Sequence, residues 1–413
     1  MNRHVPKPAI VRDILDVRSG QPNWPPYNVP PHIPIRATEW AWIEPSAIPP
    51  RQWIYGRHFV RRFVSATIAP GGVGKSSLTI VEALAITTGH SLLGIKPDER
   101  CNVWIWNGED PQEELDRRIA AAAMHYSIKP EDLRGRLFVN SGRETEITIA
   151  IQTKEGTIIQ APVVSDVTAT IRANNIGLMI VDPFVSSHRV SENDNGAIDA
   201  VAKQWARIAD ATGCAIDLVH HARKTNGNEV KVEDGRGASA LISATRSARV
   251  LNGMTEAEAT KAGVENKRLY FRVDNGKANL VAPADRADWY KLASVPLGNG
   301  DGVSGHGGDF VGVVEAWAFP NAFDDVTVAD LRAAQAAVAK DGPWRESSQA
   351  KAWVGIPIAN ALMLDVTDKA HKAKVTALLK QWTTNGMFVV VERIDPSRRE
   401  PHKCVEVGEW ATD

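Results

Sequence analysis

Residues 65–85 read SATIAPGGVGKSSLTIVEALA. An apolar run enters a glycine-rich turn, and a helix-forming run leaves it. Gly71, Gly72 and Gly74 let backbone N–H groups converge on an anion, and the dipole of the following helix adds favourable potential. Together with Val73 and Ser77 they surround Lys75, placed to reach β- and γ-phosphates, and Ser76, whose hydroxyl suits Mg²⁺. The spacing is G-x-x-x-x-G-K-[ST], except that Ala69 replaces the first glycine. Ala69 is small and sits at the strand end, so the turn is still permitted. ATP and Mg²⁺ are the expected ligands.

The chain has 413 residues, enough for two or three domains. Its formal net charge is −1, so any nucleic-acid contact must come from a local basic patch. Three cysteines, Cys101, Cys214 and Cys404, lie far apart, which argues against a disulfide scaffold or a C-x-x-C zinc site. A reducing, cytoplasmic compartment is expected. No apolar run approaches the roughly 18 residues of a membrane span, and MNRHVPKPAIVRD is too polar for a signal peptide.

Residues 1 to about 50 are rich in proline and tryptophan, and the proline-rich stretch 1–37 predicts an extended arm. Residues 38–296 alternate continuous apolar strands with helices, which predicts a parallel sheet covered on both faces. In this stretch EITIAIQTKEGTIIQAP predicts a hairpin insertion, and DPQEELDRRIAAAAMHY a helix capped by Asp110, with Pro111 in its first turn and Glu113 closing a capping box. Residues 297–324 open glycine-rich and predict a linker with a connecting strand. Residues 325–413 predict three helices followed by a hairpin, the order of a winged helix.

Other strands carry chemistry at their tips. LMIVDP ends in Asp182, at the strand end where open α/β sheets bind ligands, and predicts a Mg²⁺ carboxylate. WIWNGED ends in Glu109, the candidate general base that positions water; a second acceptor for the helix terminus is the plainer alternative. IDLVHHARK places His220 and His221 on opposite faces of a third strand, one of them able to sense the γ-phosphate. KTNGNEVKVEDGRGASA predicts a mobile loop on the same sheet edge. There Lys224, Lys231 and Arg236 could face a phosphate backbone, though solvation accounts for them equally. ISATRSARV offers Arg246 and Arg249 as an arginine supplied across a subunit boundary.

In this order APGGVGKSS, NGED, VDP, HHARK and GRGASALISATR resemble the plasmid RepA-type hexameric replicative helicases, a branch of the RecA-like ATPases. The resemblance spans roughly residues 38–320. It implies a six-membered ring with ATP at each interface, Glu109 as catalytic glutamate, Asp182 as Mg²⁺ aspartate and His221 near the γ-phosphate. It also implies Arg246 as the trans-acting arginine and the loop before Arg236 as a contact for single-stranded DNA. The added arm and C-terminal region look more like the RepA-like AAA ATPases of phages and other mobile elements.

Residues 367–403 hold eight Lys/Arg against four acids. Lys369, Lys372 and Lys380 on a helix, with Arg398 and Arg399 at a wing tip, are candidates for DNA phosphates; protein contacts with solvated charges are the alternative. The expectation is an ATP-dependent motor on single-stranded DNA, a replicative helicase working with other replication proteins. Its rival is a loading or regulatory ATPase that uses nucleotide as a switch.

Overall fold

A computed structural model describes residues 36–222, 229–235, 238–282, 286–300, 307–394 and 400–412. The chain divides into two compact units, 1–50 and 51–413. In the first, the described residues are extended apart from one 3-10 turn, Pro45–Ala47, and Trp40 and Trp42 are exposed.

The second unit opens with a small hairpin, β1 (Trp53–Tyr55) and β2 (Phe59–Val60). The phosphate-loop strand follows, β3 (Val64–Ala69), with its helix α1 (Lys75–Thr88). Next come β4 (Asn102–Asn107), α2 (Gln112–His125), the single turn α3 (Pro130–Leu133) and β5 (Leu137–Ser141). The hairpin expected near residue 150 is present as β6 (Ala150–Thr153) and β7 (Gly156–Ile159), outside the main sheet. Then come α4 (Ala161–Ala173), β8 (Ile176–Asp182), α5 (Asn195–Thr212), β9 (Ala215–His221), α6 (Ala238–Ala244), β10 (Ser247–Gly253) and α7 (Glu256–Ala262).

These strands form the parallel part of one sheet, in the order β5-β4-β8-β9-β3-β10. Successive residues of β4 show why both faces are covered. Val103 and Ile105 pack toward α1 and α2, while Trp104 and Trp106 pack toward α4 and α5. On α5 the stripe Ile198, Val201, Ala202, Trp205, Ile208, Ala209 follows helical spacing and is buried. Asp194 caps its first N–H groups, and Gly213 ends it in the left-handed region. Trp205→Ala would cost about 3–5 kcal/mol at such a site. This is the α/β core expected of a RecA-like ATPase, with the histidine strand β9 lying between the phosphate-loop strand and the Asp182 strand.

Beyond β10 the sheet continues antiparallel through β11 (Tyr270–Ala278), β12 (Asp288–Pro296) and β13 (Phe310–Ala316). Residues 297–309, read from sequence as the start of a linker, join two hydrogen-bonded neighbours of this sheet. β13 turns back over the core helices: Tyr126 Oη of the α2 C-terminus donates to Val314 O at 2.6 Å.

The C-terminal region is winged-helix-like: α8 (Val328–Lys340), β14 (Trp344–Arg345), α9 (Gly355–Ala361), α10 (Lys369–Thr384), β15 (Phe388–Ile394) and β16 (Pro401–Val407). The two-residue β14 completes a three-stranded sheet and carried no periodic signal. Val375, Leu378, Leu379 and Trp382 of α10 face the small core, with Val338, Ile358 and Phe388 opposite. A second face of α10 packs on α7. A Cβ added at Gly263 would fall 2.2 Å from Ala370 Cβ, so only glycine allows this approach.

Candidate functional site

The loop 70–74 lies between β3 and α1 as its sequence requires. Gly72 and Gly74 have φ of +80° and +108°, conformations open to glycine and costly for other residues. A Cβ on Gly71 or Gly72 would meet nothing within 4 Å, so the loop borders open space on that side. At Gly74 a Cβ would press on Phe271 at 3.3 Å. Ala69 is the last residue of β3 and is fully buried in the apolar core. Its methyl belongs to the packing, which is why the missing first glycine is harmless. Val73 packs partly against the same core, and Ser77 lines the cavity above the loop.

Three parallel strands bring their tips together here. Asp182 is buried at the end of β8 and accepts a hydrogen bond from Ser76. Burial pushes its carboxyl above the usual range; the Ser76 bond and nearby Lys75 pull the other way. One hydroxyl and one carboxylate fit Mg²⁺, which keeps most of its waters and shares phosphate oxygens.

His221 ends β9. Its Nδ1 lies 3.2 Å from Lys75 Nζ, and its Nε2 lies 3.9 Å from Glu109 Oε1. The lysine can only donate, so Nδ1 accepts and the imidazole presents its N–H toward Glu109. His220, one residue earlier, faces the other way into the protein, edge-on to Phe184.

Glu109 follows the sharp corner after β4. Gly108 N donates to Asp182 O at 2.8 Å, and a Cβ there would strike Ser186 at 2.3 Å. Asn107 Oδ1 accepts from the N–H groups of both Glu109 and Asp110, and Arg143 Nε donates to Glu109 O. The backbone is thus held on three sides while the carboxylate is 55% exposed and free to meet solvent. The expected Asp110 cap is not formed: Pro111 occupies the N-cap, without side-chain capping. Asp110 instead pairs with Arg118 at 2.9 Å, because the corner places it beside the second turn of α2.

Sequence reasoning missed the far wall of the site. Leu292 of β12 and Phe310–Gly312 of β13 join Arg117 and Arg118 of α2 around a cavity of about 580 Å³ above the phosphate loop. Phe310 is 68% exposed there, and Arg117 is fixed to Asp309 at 3.2 Å. No motif marks Leu292 or Phe310–Gly312, since they arrive through antiparallel pairing more than 200 positions from the loop.

The two arginines of ISATRSARV part company. Arg249 is buried and binds Glu82 of α1 through two 2.6 Å hydrogen bonds, so it is not available to a neighbour. The pair belongs to a buried network. Arg249 donates to Thr67, Thr67 and Ser65 donate to Asp217, and His58 bridges Asp217 and Ser247. Arg246 is exposed at the start of β10, its N–H bonded to Val64 O. That is the opposite end of β3 from the phosphate loop, roughly 17–20 Å along the strand.

Among the DNA candidates, Lys224, Arg236, Arg398 and Arg399 lie outside the described residues. Lys231 is exposed, but its segment is not a loose loop where it is described. Val230 and Val232 are buried on the sheet, and Asn252 clamps Val230 by both its N–H and C=O. On α10, helical spacing of 100° per residue sets Lys369, Lys372 and Lys380 on the face left by its two packed faces. Lys372 also lies over the Trp353 ring at 5.6 Å.

Among the described residues no helix is long and apolar enough to cross a membrane. A family model described as an AAA domain matches residues 30–227, somewhat less than half of the chain. The matched stretch contains the phosphate loop, Glu109, Asp182 and His221, and the core is a P-loop ATPase domain. Among solved structures, the RadB recombinase aligns over 63% of this chain and 93% of its own at 13% identity, with a TM-score of 0.39. The strand order above defines the fold.

Proposed function

We propose that this protein is a Mg²⁺-ATP-dependent motor acting on single-stranded DNA, assembled as a ring and serving as a replicative helicase. The observation that carries the reading is His221, set between Lys75 of the phosphate loop and Glu109. A strand tip that touches both groups couples the state of the phosphates to the segment that follows it, residues 222–235. That coupling is what a motor needs and a passive nucleotide binder does not.

In this reading the N–H groups of the loop and Lys75 hold the phosphates, and Ser76 and Asp182 hold the metal. Bound Mg²⁺ supplies charge neutralisation on the phosphate oxygens. Glu109, exposed to the cavity and held by its backbone, orients water for attack. The site is open on the Glu109 side, and its own Arg246 is a strand-length away. A neighbouring subunit's copy of that arginine would complete it. Lys231 together with Lys372 and Lys380 would bear on DNA.

The rival, a loading or regulatory ATPase, draws support from α10. One of its faces is packed on α7, so its outward surface is only half available to a duplex groove. The test is ATP hydrolysis with and without single-stranded DNA, together with displacement from a forked duplex. A motor shows stimulated turnover and strand displacement. DNA-independent turnover without displacement would overturn the motor reading in favour of the switch.

A further inference from the structure

A second cavity lies apart from the nucleotide site. It has a volume of about 1050 Å³ and lies where β12, β13, α7 and α10 meet. Its wall is aromatic. Trp289, Trp317 and Phe319 form one cluster, with ring centroids 5.1–5.7 Å apart, and all three line the cavity while retaining some exposure. They stand on the outer side of the antiparallel extension, since neighbouring Tyr290 points into the core.

Two cations and two amides share this wall. Lys261 of α7 lies 5.6 Å over the Phe319 ring, and Arg286 borders the same space. Asn321 and Gln381 line it as well. One acid does too, Asp288, which is exposed at the start of β12. On α10 itself Lys380 and Lys369 are exposed and add cationic surface, and the helix contains no acidic residue.

We infer that this junction is a base-stacking site for single-stranded nucleic acid, an inference that rests on the DNA-motor reading for its ligand. Aromatic faces accept bases of any sequence, amides pair with base edges, and lysine and arginine meet phosphates. A cavity of this size sits at the upper end for small-molecule pockets and accommodates more than one base. The α10 lysines then track the backbone out of the site. Because the walls come from both the ATPase core and the winged-helix-like region, a bound strand would tie the two together.

The test uses the full-length protein without nucleotide. A labelled oligothymidylate is titrated by fluorescence anisotropy, and an oligonucleotide carrying 5-iodouracil is photocrosslinked and mapped by mass spectrometry. Crosslinks are expected at Trp289, Trp317 or Phe319. Trp317→Ala or Phe319→Ala should weaken binding about tenfold. Lys261→Ala and Gln381→Ala alter exposed or edge groups and keep the test valid should an aromatic variant fail to fold. Lys261→Ala should lower the salt slope by about one. Crosslinks confined to other regions, or variants that bind as the parent does, would overturn the site and leave the motor reading intact. Crosslinks at the junction with DNA-independent ATP turnover would uphold the site and sink the motor. No binding at all would remove both.

Discussion

His221 Nδ1 lies 3.2 Å from Lys75 Nζ, so the histidine strand touches the phosphate loop. The phosphates of a nucleotide compete with His221 for that lysine. His221→Ala should therefore leave ATP affinity unchanged or raised and cut turnover by about 10–100-fold. Glu109→Gln should cut turnover by 10²–10⁴, roughly the range for a lost base, with binding retained. Fluorescent-nucleotide titration beside steady-state hydrolysis separates the two effects. Lower affinity in His221→Ala would mean that the histidine binds phosphate rather than guarding the lysine.

Arg246 and Arg249 lie three residues apart and predict opposite phenotypes. Removing Arg249 leaves buried Glu82 unpaired, which costs roughly 3–5 kcal/mol. Arg249→Ala should unfold at markedly lower denaturant, and pairing it with Glu82→Met should recover part of the loss. Arg246→Ala should fold like the parent and lose ATP turnover. Mixed with Glu109→Gln subunits, it should regain activity at interfaces that combine one intact Glu109 with one intact Arg246. Absence of any rescue on mixing would argue against a role across subunits.

The balance of legible and illegible residues follows from distance in sequence. Strand β3, its loop and α1 are contiguous, and the loop groups proposed to hold phosphate lie within a dozen residues. Asp182, Glu109 and His221 were legible because each ends an apolar run, and parallel strands in one sheet bring such ends together. Local chemistry misled at Asp110, where cap preference lost to the Arg118 ion pair. It misled again at residues 229–235, where polar composition hid the anchoring valines. Phe310 and the aromatic junction could not be read at all. They depend on the register of β12 with β13, which no motif encodes.

Two buried histidines make the fold sensitive to acid. Burial lowers both His58, with Arg249 beside it, and His188 to about 4 from 6.5. Between these values the unfolded chain binds protons that the folded chain refuses, so stability is full above pH 6.5 and is lost as pH falls toward 4. Each site is worth up to about 3 kcal/mol over that window. Urea midpoints should be flat from pH 7.5 to 6.5 and then fall steadily. His58→Gln or His188→Phe should flatten the slope by removing one proton from the linkage. An unchanged slope in both variants would place the acid sensitivity elsewhere.

Asp182 trades stability for function. Its carboxylate is buried and raised, so ionising it at neutral pH disfavours the folded, metal-free protein. Asp182→Asn keeps an acceptor for Ser76 and removes that charge. The variant should melt at or above the parent temperature without ligand, and should lose the extra stability that MgATP gives the parent. Thermal melts with and without MgATP check both halves. A less stable apo variant would show that Lys75 outweighs burial at this carboxylate.

Phe310 lines the cavity above the phosphate loop together with Leu292, and Arg117 is held there by Asp309. Among the described residues that line it, Phe310, Leu292 and Val311 supply the apolar surface against which a base can lie. Phe310→Ala should raise KM for ATP about tenfold, the loss of one aromatic–base contact, while kcat stays within about twofold because no reacting atom is near. Tripolyphosphate, which has no base, separates the contributions: its inhibition constant should be the same in parent and variant. Equal loss of ATP and tripolyphosphate affinity would mean that Phe310 shapes the phosphate loop instead, and that the base lies against a neighbouring subunit.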